Sequence, residues 1–261
     1  MTDPTSRTAV VTGATSGIGR EIATRLAEAG HRVFVCARSA GPLDLLVKEL
    51  RSRDLEADGQ VCDVTDPAQI DRFAAAAAER YGPVGILVNN AGRSGGGITA
   101  EVPDDLWLDV VNTNLTSVFR MTKAILGAGG MQDATWGRIV NIASTGGKQG
   151  VLHGAPYSAS KHGVVGLTKA WGLELAKTGI TVNAVCPGFV ETPMAEKVRA
   201  HYAGIWGVTQ GEAFERVSAR IPIGRYVEPS EVAAMVEYLI SDGAAAVTAQ
   251  ALNVCGGLGN Y

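Results

Sequence analysis

Two side chains four residues apart pose the first chemical question of this chain. Tyr157 and Lys161 stand in the stretch Pro156-Tyr157-Ser158-Ala159-Ser160-Lys161-His162-Gly163. That spacing puts both on one face of a helix. A free tyrosine has a pKa of about 10, too high for acid–base work near neutrality, and an ammonium beside it favours the phenolate. The proton then becomes easier to donate. Each residue also has an ordinary reading, the tyrosine as a buried aromatic at a helix start and the lysine as a solvated charge. His153 and His162 lie close by and, next to a Tyr/Lys pair, read as structural or pocket-lining.

A second motif concerns phosphate. Thr12-Gly13-Ala14-Thr15-Ser16-Gly17-Ile18-Gly19 follows an apolar run and opens a helical pattern. Glycines there permit a tight turn and close backbone approach, while free N–H groups and the helix dipole point at an anion. Gly13, Thr15, Ser16, Gly17, Ile18 and Gly19 are therefore candidate dinucleotide contacts. At the end of the next apolar run, where an NAD site would place a carboxylate for the ribose 2'-hydroxyl, the chain has Ala37-Arg38-Ser39. A guanidinium suits a 2'-phosphate, so Arg38 selects NADPH over NADH.

These groups need a scaffold, and the sequence spells one out. Thr8 to Thr12 is a β-rich run, Ile18 to Ala29 has apolar residues at helical spacing, and Gly30 stops it. The rhythm repeats, with strands at residues 32–37, 56–62, 86–90, 138–142 and 181–185. The helices are expected at 41–53, 67–81, one long region from Pro103 to Gly127, and the helix of Tyr157. Near-continuous apolar strands alternating with helices predict an α/β fold, a single Rossmann-type doubly wound parallel sheet covered on both faces. Ligands are expected beyond the carboxyl ends of its strands. Residues 1–261 read as one domain, since no linker divides them.

One segment breaks the rhythm. Between Pro193 and Pro222 two amphipathic stretches, Met194 to Tyr202 and Glu212 to Arg220, flank Gly204, Trp206 and Gly207. Insertions over the working edge of a sheet are often lids, and residues 194–222 are read as one; the alternative is a surface hairpin with no role in binding. Met194, Tyr202 and Trp206, with the loop Gln149-Gly150-Val151-Leu152, are the expected walls of a wide groove. Gln149, Val151 and Leu152 are its candidate substrate contacts on the catalytic side.

Bulk properties exclude other classes. The 261 residues are 46% apolar and carry a formal net charge of -3, which gives no basic footprint for nucleic acid. Cys36, Cys62, Cys186 and Cys255 have no C-x-x-C spacing and read as free thiols of a reducing cytoplasm; no metal site is expected. No apolar run approaches the roughly 18 residues of a spanning helix, so no membrane partner is expected.

The spacing Gly13-x-x-x-Gly17-x-Gly19, with Asn89-Asn90-Ala91-Gly92, Cys62-Asp63-Val64, Asn114, Ser144 and Tyr157-x-x-x-Lys161, resembles the short-chain dehydrogenase/reductase family. The resemblance runs from about Thr8 to the end. It implies that Asp63 and Val64 meet the adenine, that Asn90 and Gly92 lie along the cofactor, and that Tyr157 protonates a forming alkoxide. It further implies that Ser144 shares the carbonyl oxygen, Lys161 also holds the nicotinamide ribose, and Asn114 fixes a water that resupplies the proton. The loop Pro187-Gly188-Phe189-Val190-Glu191-Thr192 is implied to border the nicotinamide through Pro187, Gly188, Val190 and Thr192.

Longer stretches, Asn141 to Val151, Val185 to Met194 and Ala249 to Tyr261, resemble the ketoreductases of aromatic (type II) polyketide synthesis. Those enzymes reduce one ketone of a poly-β-ketone chain held on acyl carrier protein, commonly as homotetramers. Where they have Pro-Gly-Gly after N-N-A-G-Arg, this chain has Ser94-Gly95-Gly96. Arg38 and Arg93 near the mouth are candidate attractors for an acidic carrier. The rival expectations are a 3-oxoacyl-carrier-protein reductase of fatty-acid synthesis, an oxidative dehydrogenase of steroid-like alcohols, and a non-catalytic NADP-binding regulator. The intact set Asn114, Ser144, Tyr157 and Lys161 argues against the last.

Overall fold

The fold was taken from a computed structural model, which describes residues 6–259 and 261. Strands β1 (Thr8–Thr12), β2 (Arg32–Ala37), β3 (Ala57–Val61), β4 (Val84–Asn89), β5 (Gly137–Ile142), β6 (Ile180–Pro187) and β7 (Ala251–Val254) form one sheet in the order β3-β2-β1-β4-β5-β6-β7. Every pairing is parallel. The order reverses between β1 and β4, which opens a crevice at their carboxyl ends.

Helices α1 (Gly17–Glu28), α2 (Ala40–Arg51) and α9 (Pro229–Ile240) cover one face; α3 (Pro67–Tyr81), α5 (Ser117–Leu126) and α6 (Ala155–Glu174) cover the other. The pleat sends neighbours in β1 to opposite layers. Ala9 and Val11 pack with Ile22, Leu26 and Val236, while Val10 packs with Phe73, Leu87 and Ile125. Both faces being covered explains why β1, β2 and β4 read as near-continuous apolar runs, whereas the edge strand β3 is Ala57-Asp58-Gly59-Gln60-Val61.

A buried polar chain crosses the centre. Asn89 Nδ2 donates to Thr122 Oγ1 at 3.1 Å and to Asn141 Oδ1 at 2.9 Å, and Asn141 Nδ2 donates to Thr168 Oγ1 at 2.9 Å. It ties α5 to α6 through β4 and β5. Buried amides satisfied in this way are rigid, because breaking one strands a polar group away from water.

Two expectations need correction. The region from Pro103 to Gly127 is not one regular helix: α4 (Asp104–Val111) and α5 are joined by a π-helical turn over Asn112–Thr116. Such turns insert one residue and are frequent at functional sites. In the insertion, α7 (Pro193–Trp206) runs through Gly204 and includes Trp206, and stops at Gly207, whose φ of 61° is left-handed. Its partner α8 (Gln210–Ser218) opens with a capping box between Thr209 and Glu212. No helix among the described residues is long and apolar enough to cross a membrane.

Candidate active site

The glycine loop between β1 and α1 is shaped by what its residues lack. A Cβ on Gly19 would sit 2.3 Å from Asn90 Nδ2 and 2.4 Å from the Gly13 carbonyl oxygen, and one on Gly13 would meet Ala91 Cα at 2.9 Å. The chain after β4 is therefore pressed onto the loop. Asn90 Nδ2 donates to the carbonyls of Thr12 (2.9 Å) and Gly13 (3.0 Å), while Thr12 Oγ1 accepts from the N–H groups of Asn90 and Ala91. Asn90 thus braces the loop with its side chain, and Thr12, the first residue of the motif but not among its candidate contacts, is its counterpart. Ser16 caps α1 without a side-chain bond, so the first-turn N–H groups stay available to an anion.

Around this cradle the other expected positions fall at the carboxyl ends of the strands. Arg38 directly follows β2 and is exposed. Val64 is buried, while Asp63 turns one carboxylate oxygen back to the N–H (2.9 Å) and hydroxyl (2.8 Å) of Thr65. Pro187 closes β6, and Gly188 donates to the Val254 carbonyl at 3.0 Å. Val190 bridges Val227. Thr192 caps α7 through Oγ1, and its methyl group is 3.1 Å from where a Gly17 Cβ would stand. Ile18 packs on the core, and Thr15 and Ser16 are at the loop's open side.

The catalytic set converges beside it. Ser144 stands two residues after β5, and its Oγ accepts from Gly146 N–H at 3.0 Å, capping the 3-10 turn over residues 145–147. Gly146 is the hinge of the arrangement. A Cβ there would lie 3.3 Å from both Ser144 Oγ and Tyr157 Cε1, so the hydroxyl and the phenol ring meet over a bare backbone. Tyr157 enters from the first turn of α6. Lys161, one turn on, is 6% exposed; its Nζ donates to the Ile142 carbonyl at 2.8 Å and lies 5.9 Å from the Tyr157 ring centroid. A Cβ on Gly92 would stand 3.3 Å from Asn114 Oδ1 and 3.6 Å from Lys161 Nζ.

Asn114 sits in the π-turn, fully buried. Its Nδ2 donates to the Arg93 carbonyl (2.9 Å) and to Ser160 Oγ (3.1 Å), and its Oδ1 accepts from Arg93 N–H (2.8 Å). Ser160 in turn donates to the Tyr157 carbonyl at 2.7 Å. Ser160 escaped notice in the sequence because only its neighbours at positions 157 and 161 carry a recognisable spacing.

The electrostatics differ from the simple expectation. Burial pushes the Tyr157 phenol above its ordinary value, partly opposed by the Ser144 hydroxyl, so the chain by itself does not favour the phenolate. Burial also lowers Lys161 to about 8, since the ammonium has a carbonyl but no carboxylate beside it. The expected substrate positions divide. Val151 reaches the catalytic turn, its Cγ2 2.8 Å from a Cβ built on Gly146. Gln149, Leu152 (72%) and Met194 (40%) are exposed. Tyr202 and Trp206 stack on each other, 4.8 Å apart with planes at 10°, and lean on a cluster of Ala195, Val217, Ile221 and Tyr226. Arg93 is ion-paired to Asp109, which offsets its charge. His162 bonds the Ser158 carbonyl, and the His153 carbonyl holds Gly97 N–H, both structural roles.

Residues 7–203 match the family described as short chain dehydrogenase. The chain belongs to the short-chain dehydrogenase/reductase family. Within it, this dehydrogenase/reductase is 72% identical over 253 residues to a protein of Streptomyces violaceoruber named "Granaticin polyketide synthase putative ketoacyl reductase 1", covering 97% of this chain and 93% of that one. It superposes on a crystal structure of the F189W actinorhodin polyketide ketoreductase with NADPH at a TM-score of 0.97, with 69% identity and all of both chains covered. A 3-oxoacyl-acyl-carrier-protein reductase of Vibrio cholerae is more distant, at 37% identity over 97% of each chain.

Proposed function

We propose that this family member is an NADPH-dependent ketoreductase that reduces one ketone of a carrier-protein-bound poly-β-ketone chain to a secondary alcohol in aromatic polyketide biosynthesis. The observation that carries this reading is the meeting of Ser144, Tyr157 and Lys161 beside a cradle too tight for any side chain at Gly19. Full-length likeness to polyketide ketoreductases directs it to that substrate class.

The cradle fits a dinucleotide, since its glycines leave bare backbone and its uncapped helix start offers N–H donors. Residues Gly13, Thr15, Ser16, Gly17, Ile18 and Gly19 would hold the pyrophosphate, Arg38 the 2'-phosphate, and Asp63 and Val64 the adenine. Asn90 and Gly92, with Pro187, Gly188, Val190 and Thr192, would flank the nicotinamide half. When bound, NADPH supplies the hydride for the carbonyl carbon.

The protein's own contribution is proton placement. Ser144 and Tyr157 donate to the carbonyl oxygen and stabilise the negative charge that grows there. Tyr157, buried with its phenol held above its ordinary value by desolvation, carries the proton that passes to this oxygen. As the proton leaves, the Lys161 ammonium faces the new phenolate. Both amide protons of Asn114 are engaged, so its side chain acts as a brace, and we assign the water that resupplies the proton to its backbone carbonyl. Gln149, Val151, Leu152, Met194, Tyr202 and Trp206 would border the substrate, under a lid formed by residues 194–222.

A homotetramer accounts for the apolar surface on the helical side, where Trp107 (42%), Leu108 (56%), Phe119 (47%) and Leu173 (75%) are exposed. Four free, buried cysteines suit a cytoplasmic location.

The test is NADPH consumption with a fused bicyclic ketone against a linear β-ketoacyl thioester. Preference for the bicyclic ketone is expected. Tyr157→Phe should lower kcat by about 100- to 10,000-fold with NADPH affinity unchanged. Preference for the linear thioester would instead assign fatty-acid synthesis, and binding of NADPH without any turnover would assign a regulator.

A further inference from the structure

One cation in the lid is nearly enclosed and touches every piece of the lid's base. Arg199 of α7 has a side chain 14% exposed, and its Nη1 lies 2.8 Å from one Glu191 oxygen and 2.9 Å from the other. Its guanidinium stands 5.4 Å from the Phe214 ring centroid, on α8, and 5.6 Å from that of Tyr226, in the segment returning to α9. The Glu191 side chain is 38% exposed, so the pair's strength comes from the arginine side, where two aromatic faces flank the guanidinium, a planar group that a Lys cannot reproduce.

The other end of the pair leads to the cradle. Glu191 lies between Val190 and Thr192; its N–H donates to the Val227 carbonyl at 2.9 Å, and Val227 N–H donates to the Phe189 carbonyl at 2.8 Å. Thr192, the next residue, rests its methyl group against Gly17 of the phosphate loop. A continuous path therefore runs from Gly17 through Thr192 and Glu191 to Arg199 and the two lid helices. Phe189 adds an apolar tie in parallel, packing on Tyr226 at 5.4 Å in the cluster that includes Val217 and Phe214 of α8, and the ion pair is the charged link beside it.

We infer that Glu191 and Arg199 are positioning residues that transmit occupation of the dinucleotide cradle to the lid, so that the substrate groove is shaped only once the cofactor is in place. Neither residue touches the reacting atoms. Ordering of the 187–192 loop by a bound dinucleotide fixes the Glu191 carboxylate, which fixes Arg199 and with it α7 and α8. The inference rests on the NADPH-binding reading but not on the identity of the ketone.

Amide hydrogen exchange across residues 193–218, with and without NADPH, tests it. In the wild-type chain NADPH should slow exchange there by about tenfold. In Glu191→Gln the slowing should largely disappear while NADPH Kd stays within about twofold of wild type, and Arg199→Met should behave alike. If Arg199→Met does not fold, Glu191→Gln alone carries the test, since it keeps the size and hydrogen-bonding capacity of the side chain. KM for a bulky ketone should rise by about fivefold in Glu191→Gln with kcat little changed. Slowing that persists in Glu191→Gln, or no slowing in the wild type despite bound NADPH, overturns the inference. Failure of the ketoreductase reading would appear separately, as normal NADPH-dependent slowing without turnover of any ketone.

Discussion

The cofactor cradle and the lid are both loops and helices at the same edge of the sheet, yet they are held by opposite means. In the cradle, side chains are missing where backbone must touch backbone, and the few that remain, Thr12 and Asn90, spend their polar atoms on main-chain groups. In the lid, side chains do the joining: Tyr202 on Trp206, Phe214 on Tyr226, and Arg199 against both Phe214 and Tyr226. Backbone contacts permit almost no adjustment, whereas aromatic contacts slide at small cost. The rigid half suits a ligand of fixed shape, and the adjustable half suits a long, folded ketone chain.

The contrast can be broken with one kind of substitution in two places. Gly19→Ala puts a methyl group 2.3 Å from Asn90 Nδ2 and 2.4 Å from a carbonyl oxygen. Overpacking of this sort costs about 1–3 kcal/mol. NADPH Kd, measured by fluorescence titration, should therefore weaken by about 10- to 100-fold. Near-normal binding would mean that the cradle yields as easily as the lid.

The catalytic pair beside the cradle gives the next effect. With Lys161 lowered to about 8, its ammonium is lost as the pH rises through that value, and kcat/KM for ketone reduction should fall on the alkaline side. At one unit above the midpoint the loss is about tenfold. The stability change has the opposite sign. A lysine whose folded pKa lies below its unfolded value of 10.5 is destabilising while protonated, so this contribution is relieved between pH 8 and 10.5. A flat rate profile to pH 10 would show that the ammonium is not needed.

The smallest effect belongs to the lid. A Cβ on Gly204, within α7, meets nothing within 4 Å. Gly204→Ala should stabilise the protein by about 0.5–1 kcal/mol through the helix backbone. That amounts to a Tm rise of about 2 °C, readable by calorimetry, with NADPH Kd unchanged. A loss of stability would show that α7 is packed as tightly as the cradle.

The same contrast decided what could be read in advance. Gly13, Gly17 and Gly19 are legible because only glycine meets the requirement, and Tyr157 and Lys161 because helix geometry ties spacing to proximity. The central strands were legible as apolar runs; β7 was not among the strands expected, being a four-residue edge strand that is only partly buried. The Arg199–Glu191 pair was not legible, since any lid arginine could have reached several carboxylates. Nor was the buried chain from Thr122 through Asn89 and Asn141 to Thr168, which joins residues 33 and 52 positions apart. The direction of the Tyr157 shift was misjudged for a related reason: the nearby lysine is visible in the sequence, but the depth of burial that raises the phenol is not. The helical region expected from Pro103 to Gly127 is interrupted at Asn112–Thr116, which apolar spacing does not reveal because it tolerates a single added residue.

That added residue has a consequence for editing the gene. Helices usually absorb a one-residue deletion near a surface end by fraying. Within Asn112–Thr116 a deletion would restore an ordinary α-helical repeat and turn everything on one side of it by about 100°. Either Asn114 leaves Arg93 and Ser160, or Met121 and Ile125 leave the core. The chain from Asp104 to Leu126 thus keeps its reading frame in three dimensions at one place only, and length variation there is far less tolerable than substitution.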